Sequence, residues 1–216
     1  YLHYCSNNTI YGTQSHTPLT SDSPVICDMS SDIFSKAIDW SKFDMVYAGA
    51  QKNLGPSGTV LVIIRKTMLE HCSDDLPLML NYKAFASKNS MLNTPPTFGI
   101  YLMGQIFKWI QDEGGLGVME KQNRDKSQQI YDALEDCGDC YTIFAKEGSR
   151  SDMNISFKTT SEELDKQFLD EAVAAGMSGL KGHRNLGGLR ASVYNAFPVE
   201  GCTRFAEFLR TFAAAN

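Results

Sequence analysis

The sequence has no long apolar segment and no excess of basic residues. Its most apolar run, residues 59–64, has the length of one strand and falls far short of the ~20 residues that a membrane-spanning helix needs. Lysine and arginine together number 20, against 25 aspartate and glutamate residues, so the net charge is −5 and no basic stripe indicates a nucleic-acid surface. We therefore expect neither a membrane partner nor a nucleic-acid partner, and we expect a cytoplasmic location.

The sequence also lacks the repeated ligand pairs of a zinc site. Cys137 and Cys140 form a single CxxC pair at the expected end of a helix, and no second pair follows at similar spacing. A redox pair would instead stand between a strand and the start of a helix. We interpret the two cysteines as free thiols in a turn, assign no metal site, and expect a reducing compartment. Cys27 lies in an apolar run and is expected to be a buried thiol.

The first half of the chain has the pattern of a layered α/β protein. Short apolar runs predict strands at residues 2–5, 24–27, 44–48 and 59–65. The last of these has apolar residues at consecutive positions, which predicts burial on both faces. Asn93–Phe98 places capping side chains before proline and predicts the start of a helix that continues through Trp109.

The second half predicts a smaller α/β unit. Strands are expected at 153–157 and 189–193, and helices at 116–134, from the capping box at 160–163 to residue 175, and at 199–214. We divide the chain into a first domain of residues 1–112 and a second of residues 113–216. Because the first residue is Tyr1 and not methionine, and an expected strand begins at once, we interpret the sequence as a truncated chain or an internal fragment.

Two polar residues follow apolar strands and suggest a shared site. Lys52 comes directly after a strand, among small residues and before a Gly-Pro-Ser-Gly turn. Burial lowers a lysine pKa because the charged form loses hydration, and a neutral amine can react with an aldehyde. Asp28 ends another apolar strand, where ligands collect in open α/β sheets, and could keep a pyridine nitrogen protonated. Singly, a lysine after a strand is usually a loop residue and an aspartate usually a cap; the pair in this order is more specific.

Several motifs resemble phosphoserine aminotransferases, a family of fold type I enzymes that use pyridoxal phosphate (PLP). They occur in the family's order across nearly the whole chain: HYCSNNTIYG, CDMSSDIFSKAIDWSKFD, AGAQKNLGPSG, NTPPTFGIYL and KGHRNLGGLRASVYNA. The resemblance implies an α/β fold: the C-terminal part of a PLP-transferase large domain, with a mostly parallel sheet and helices, followed by a small α/β C-terminal domain.

The resemblance also implies roles for six residues around PLP. Lys52 would bind the cofactor covalently and then act as general base, and Asp28 would pair with the ring nitrogen. Thr9 would contact the phenolic oxygen and Gln51 the phosphate, although an ordinary turn threonine has the same pattern. Asn93 and Thr94 would reach the phosphate of a neighbouring subunit's cofactor, although helix capping explains them equally well.

The segment from residue 181 to residue 190 groups basic residues with glycines. Two arginines and a histidine in this setting suggest a double-anion site, although a solvated basic loop is the simpler alternative. By resemblance, Arg190 would bind the substrate α-carboxylate, ideally in a bidentate pair. His183 and Arg184 would face the distal anion, which is the phosphate of phosphoserine or the side-chain carboxylate of glutamate. His3, His16 and His71 show no partner pattern and receive no role.

The implied function is transamination between glutamate and 3-phosphohydroxypyruvate in serine biosynthesis, by a homodimer. One alternative is a related PLP aminotransferase that acts on alanine, serine or glyoxylate. The other is a truncated polypeptide that no longer catalyses and serves only as a subunit or interaction partner. The family chain is longer, and the part that carries the phosphate-binding glycine loop and the aromatic residue stacked on the ring cannot be located in this sequence.

Overall fold

The computed structural model describes all residues, 1–216, and divides them into nine strands and six α-helices. The strands are β1 Leu2–Cys5, β2 Asn7–Asn8, β3 Thr13–Gln14, β4 Val25–Asp28, β5 Met45–Gly49, β6 Val60–Ile64, β7 Thr142–Ile143, β8 Asn154–Lys158 and β9 Leu189–Ser192. The helices are α1 Lys66–Glu70, α2 Tyr82–Ser87, α3 Thr97–Asp112, α4 Leu116–Asp136, α5 Glu162–Ala174 and α6 Val199–Ala215. None of the helices is long and apolar enough to span a bilayer.

The first sheet has the order β1-β4-β5-β6. Strands β1, β4 and β5 run parallel, so their carboxyl ends meet at one edge of the sheet. At that edge Cys5 pairs with Asp28, and Asp28 pairs with Tyr47. A cluster of ten buried hydrophobic residues, within residues 25–103, packs against this sheet and includes Cys27, which is fully buried as expected.

Strand β6 differs from its prediction. It runs antiparallel to β5 and forms an edge of the sheet, and Val60 is 61% exposed. The prediction of burial on both faces was wrong for this chain because β6 has a neighbour on one side only. The opposite edge is β1, whose residues alternate between half-buried and exposed.

The second sheet is small and antiparallel, with the order β7-β8-β9. Helices α4, α5 and α6 contribute to its core, a cluster of 17 buried residues within 130–212. Six aromatic rings pack edge-on or tilted around Phe168 and Phe157: these two and Tyr141, Phe205, Phe208 and Phe212. The two clusters agree with two units, and the boundary at residue 113 stays a prediction.

A short hairpin formed by β2 and β3 connects the two sheets. Asn7 Nδ2 donates to Ser31 Oγ on one side, at 2.9 Å, and to Asn154 Oδ1 on the other, at 2.8 Å. Ser156 Oγ donates to the carbonyl of Ile10 at 2.8 Å. Because these groups are largely buried, each bond removed would leave a polar atom without a partner, and the hairpin is therefore held firmly between the sheets.

Helix α3 begins later than the sequence predicts. Its first residue is Thr97, and the preceding Pro96 contributes no capping side chain. Pro96 keeps Pro95 out of helical geometry, so the helix cannot begin directly after Thr94. Neither Asn93 nor Thr94 therefore caps it. The helix α5 predicted after the box at 160–163 is present, but its cap lies one residue later than that box implies: Ser161 Oγ accepts a hydrogen bond from the backbone N–H of Leu164 at 3.1 Å.

Candidate functional site

Lys52 lies in the turn after β5, at the edge where the parallel strands end. Its side chain reaches the β2–β3 hairpin, and its Nζ donates to Thr9 Oγ1 at 2.6 Å. Lys52 is half-buried rather than free in solvent. The strand, the turn and the hairpin therefore hold the amine at one position between the two sheets.

The surroundings of Lys52 lower its pKa. Burial has the largest effect, because the ammonium form loses hydration, and the positive charge of Arg190 adds to it. The carboxylate of Asp28 acts in the opposite direction and partly offsets the fall. The amine is therefore neutral more often than that of a solvated lysine, which favours its use as a nucleophile or a base.

Asp28 ends β4 on the same side of the sheet as Lys52. Its Oδ1 accepts a hydrogen bond from the backbone N–H of Ser30 at 2.8 Å, which fixes the carboxylate. The charge of Asp28 reaches Lys52, but the two groups form no ion pair. More than hydrogen-bonding distance thus separates the amine from the carboxylate, and both remain available to a group between them.

Arg190 approaches the site from β9. Its Nη1 donates to the carbonyl of Thr9 at 3.4 Å, and its buried Nε has no hydrogen-bond partner. A buried guanidinium N–H without an acceptor is costly, and an anion bound beside it would remove that cost. Thr9 therefore contacts Lys52 through its hydroxyl and Arg190 through its backbone carbonyl.

His183 and Arg184 lie on a tight hairpin that leads into β9. The N–H of Gly182 donates to the carbonyl of Gly188 at 2.9 Å, and a side chain at residue 182 would collide with the carbonyl of Gly187. His183 is half-buried and Arg184 is exposed. Neither hydrogen-bonds to Lys52, Thr9 or Asp28, so the structure does not join them to the rest of the candidate site.

Gln51, Asn93 and Thr94 are exposed. Gln51 precedes Lys52, and its amide lies against Gly49. Asn93 Nδ2 donates only to the neighbouring carbonyl of Thr94, at 3.3 Å. The structure therefore leaves the side chains of Asn93 and Thr94 free of the chain's own Lys52.

Two residues beside Asp28, and a third that contacts one of them, were not found from the sequence. Cys5 and Tyr47 are its neighbours across the sheet, and burial and the charge of Asp28 raise the pKa of Tyr47 to about 12. The ring of His3 stacks on Tyr47, with His3 Nε2 and Tyr47 Oη 2.9 Å apart. The parallel register places Cys5 and Tyr47 beside Asp28, and sequence spacing within one strand does not reveal a neighbour in another.

Known proteins resemble this chain in both sequence and fold. The family model "Aminotransferase class-V" matches residues 1–205. The phosphoserine aminotransferase of Lysinibacillus sphaericus is 53% identical over 98% of this chain and 59% of its own length. The structure of phosphoserine aminotransferase from Bacillus circulans subsp. alkalophilus is 48% identical with a TM-score of 0.96, over all of this chain and 60% of that one.

A PLP-bound phosphoserine aminotransferase from Trichomonas vaginalis, 36% identical, superposes with a TM-score of 0.93 over 97% of this chain and 60% of that one. This chain thus spans about 60% of the length of the relatives that it matches. The match to the family extends over nearly the whole sequence, and the shared fold includes both sheets. The chain therefore belongs to the class-V aminotransferase family.

Proposed function

We propose that this chain takes part in PLP-dependent transamination between glutamate and 3-phosphohydroxypyruvate, the phosphoserine aminotransferase reaction of serine biosynthesis. The observation that carries the proposal is the contact chain through Thr9, whose hydroxyl accepts from Lys52 and whose carbonyl accepts from Arg190. It unites a lysine of lowered pKa with a buried guanidinium that lacks an acceptor. An amine and an anion-binding group that contact the same residue suit an amino acid substrate.

The residues at this edge fit PLP. Lys52 would hold it covalently, and Asp28, which forms no ion pair with Lys52, is available to the ring nitrogen. Thr9 would contact the phenolic oxygen and Gln51 the phosphate. When bound, PLP supplies an acceptor for the electron pair released at the substrate Cα.

The chain's own residues then divide the remaining tasks. Lys52, once free, would carry a proton to and from the substrate Cα, and its lowered pKa favours the neutral amine that this step needs. Arg190 would bind the α-carboxylate and orient the Cα toward Lys52, with Nε gaining the acceptor that it lacks. His183 and Arg184 would bind the distal phosphate or carboxylate from the hairpin before β9.

A homodimer accounts for the exposed residues of α3 and the segment before it. Phe98, Ile100 and Tyr101 are 71%, 50% and 59% exposed, which is unusual for large apolar side chains that stand close together. Asn93 and Thr94 precede them and would reach the partner's cofactor phosphate. We place the reaction in the cytoplasm.

Borohydride trapping tests the cofactor assignment. The 216-residue chain is mixed with PLP, reduced with borohydride and digested, and mass spectrometry locates the added mass. We expect a yellow solution before reduction and a label on Lys52. In the Lys52→Arg variant both should disappear, whereas Lys36→Arg, a change at another half-buried lysine, should retain both.

Substrate comparison separates the proposal from its alternatives. Substitution of His183 or Arg184 by alanine should reduce turnover of phosphoserine far more than turnover of alanine. Equal losses would favour the alternative of an aminotransferase with unphosphorylated substrates. An unlabelled, colourless chain would favour the alternative of a non-catalytic subunit.

A further inference from the structure

Three asparagine side chains bind three consecutive backbone carbonyls. Asn53 Nδ2 donates to Ile33 O at 2.7 Å, Asn195 Nδ2 to Phe34 O at 2.9 Å, and Asn123 Nδ2 to Ser35 O at 3.1 Å. The asparagines come from the turn after β5, from the segment after β9 and from helix α4. We call these three residues, Asn53, Asn123 and Asn195, the amide junction.

The members of the amide junction also bind one another. The backbone N–H of Asn195 donates to Asn53 Oδ1 at 2.9 Å, and Asn123 Nδ2 donates to Asn195 Oδ1 at 2.8 Å. Their exposed fractions are only 6% for Asn53, 2% for Asn123 and 6% for Asn195. In such a buried network each bond has a defined geometry, because no water replaces a bond that is lost.

Lys126 strengthens the junction from the next turn of α4. It is 1% exposed, and its Nζ donates to three backbone carbonyls: Tyr194 O at 2.7 Å, Asn195 O at 3.2 Å and Phe197 O at 3.2 Å. It pairs with no carboxylate. A buried lysine used in this way fixes the path of the backbone around Asn195.

The segment that the junction binds is strained. Phe34 has a φ of 55°, a left-handed conformation that a bulky aromatic residue rarely adopts, and its ring packs edge-on against Phe107. Such strain persists only where the surroundings hold it, and it is concentrated near functional sites. Here Asn195 holds the Phe34 carbonyl, and the neighbouring carbonyls are held in the same way.

The junction lies beside the chain segments that carry Lys52, Asp28 and Arg190. Asn53 directly follows Lys52, Asn195 lies shortly after Arg190, and the bound carbonyls lie in the segment that leaves Asp28. The network therefore ties the backbone next to Lys52 to the segment that follows Arg190 and to the segment that follows Asp28.

We propose that Asn53, Asn195 and Lys126 are positioning residues, which hold Lys52 sheltered and aligned with Arg190. This inference rests on the proposed function only for the roles of Lys52 and Arg190. Placement errors of about 1 Å in an active site cost about 100-fold in rate. We therefore expect Asn53→Ala to lower kcat/KM for glutamate about 100-fold without removing any group that contacts the substrate.

The first measurement needs no PLP and no turnover. The chain is treated with formaldehyde and cyanoborohydride across a range of pH, and mass spectrometry follows methylation of Lys52 beside that of the exposed lysines. In Asn53→Ala, Lys52 loses shelter, so its labelling profile should move toward that of the exposed lysines. If Asn53→Ala does not fold, Asn53→Asp replaces it in this measurement. It keeps the shape and the acceptor oxygen of Asn53 but loses the amide donor, and it should shift the Lys52 profile in the same direction.

The matched control is Asn81→Ala. Asn81 is also buried, at 8% exposure, and it makes two hydrogen bonds, to Ala84 and Ser73, far along the chain from the junction. The Asn81→Ala variant should be less stable than the wild type, but the methylation profile of Lys52 and the kcat and KM for glutamate should not change. Wild-type Lys52 behaviour in both Asn53 variants would overturn the inference, as would an equal shift in Asn81→Ala. A wild-type chain that never binds PLP would refute the proposed function while leaving the methylation result to decide on positioning.

Discussion

Replacing Lys126 with methionine should change how the stability of the chain depends on pH. Burial lowers the pKa of Lys126 from 10.5 to about 8, with the nearby Cys202 acting weakly in the opposite direction. Folding thus opposes the charged form, although three carbonyls accept from it. Converted at 1.36 kcal/mol per pH unit, this fall corresponds to about 3 kcal/mol.

The sign of this pH dependence follows from how many protons the folded and the unfolded chain bind. Below pH 8 both the folded and the unfolded chain carry the proton, and the whole cost of a buried charge is present. Between about pH 8 and the unfolded pKa of 10.5, the folded chain is neutral while the unfolded chain is still charged. The unfolded state binds more protons there, so the free energy of unfolding rises with pH. The Lys126 contribution should therefore increase by about 3 kcal/mol across this window.

Urea unfolding of the wild type and of Lys126→Met, at a series of pH values from 7 to 10, measures this contribution. The difference between the two proteins is needed because burial raises the pKa of the Cys27 thiol and of Tyr4 to about 12. These groups destabilise both proteins as their unfolded forms ionise, and their effect cancels in the difference. The three carbonyls left without a donor in the variant add a constant offset. A difference that stays flat from pH 7 to 10 would refute the reasoning.

Three further changes have expected outcomes. Arg190→Lys keeps the charge but loses the planar fork, so KM for glutamate should rise tenfold to a hundredfold, about 1.5–3 kcal/mol, in steady-state assays; an unchanged KM would remove Arg190 from the site. Gly12→Ala should destabilise the β2–β3 hairpin and slow PLP capture by Lys52, because φ is +69° and the new Cβ would lie 2.7 Å from Asn154 O; differential scanning calorimetry and the trapping rate check both effects. Ser161→Ala removes the cap of α5 and should cost about 1 kcal/mol in thermal unfolding, with trapping at Lys52 unaffected.

The parallel part of the first sheet could be predicted from the sequence because its signals are local. Strands β1, β4 and β5 are apolar runs that stop at a polar or small residue, and each was placed within one residue of its observed bounds. The β2–β3 hairpin could not be predicted, because its strands have two residues each and depend on bonds to Asn154 and Ser156, far along the chain. Whether β6 is exposed depends on which elements lie beside it. The spacing of apolar residues within one strand does not reveal those neighbours.

In the candidate site, too, features with a local sequence signal could be predicted and contacts between distant segments could not. A lysine after a strand and an aspartate after another strand could be recognised because parallel strands end at one edge. The contact of Thr9 with both Lys52 and Arg190 could not, since it depends on how the hairpin lies between two sheets. The amide junction was also missed, because isolated asparagines in turns ordinarily indicate only local capping.

The placement of the site between the two sheets explains why its residues are spread over almost the entire chain. The parallel sheet contributes Asp28 and the turn of Lys52, the antiparallel sheet contributes Arg190, and neither sheet alone holds both the amine and the guanidinium. Two bridges connect them: the hairpin, through the contacts of Thr9 with Lys52 and Arg190, and the amide junction, through the bond between Asn195 and Asn53. The hairpin contacts the side chains of Lys52 and Arg190, whereas the amide junction binds residues near them in the chain. A change in one bridge should therefore shift Lys52 relative to Arg190 while the other bridge stays intact. Asn53→Ala and Gly12→Ala should therefore have nearly additive effects on stability but should affect the reactivity of Lys52 non-additively, since both determine where the amine lies.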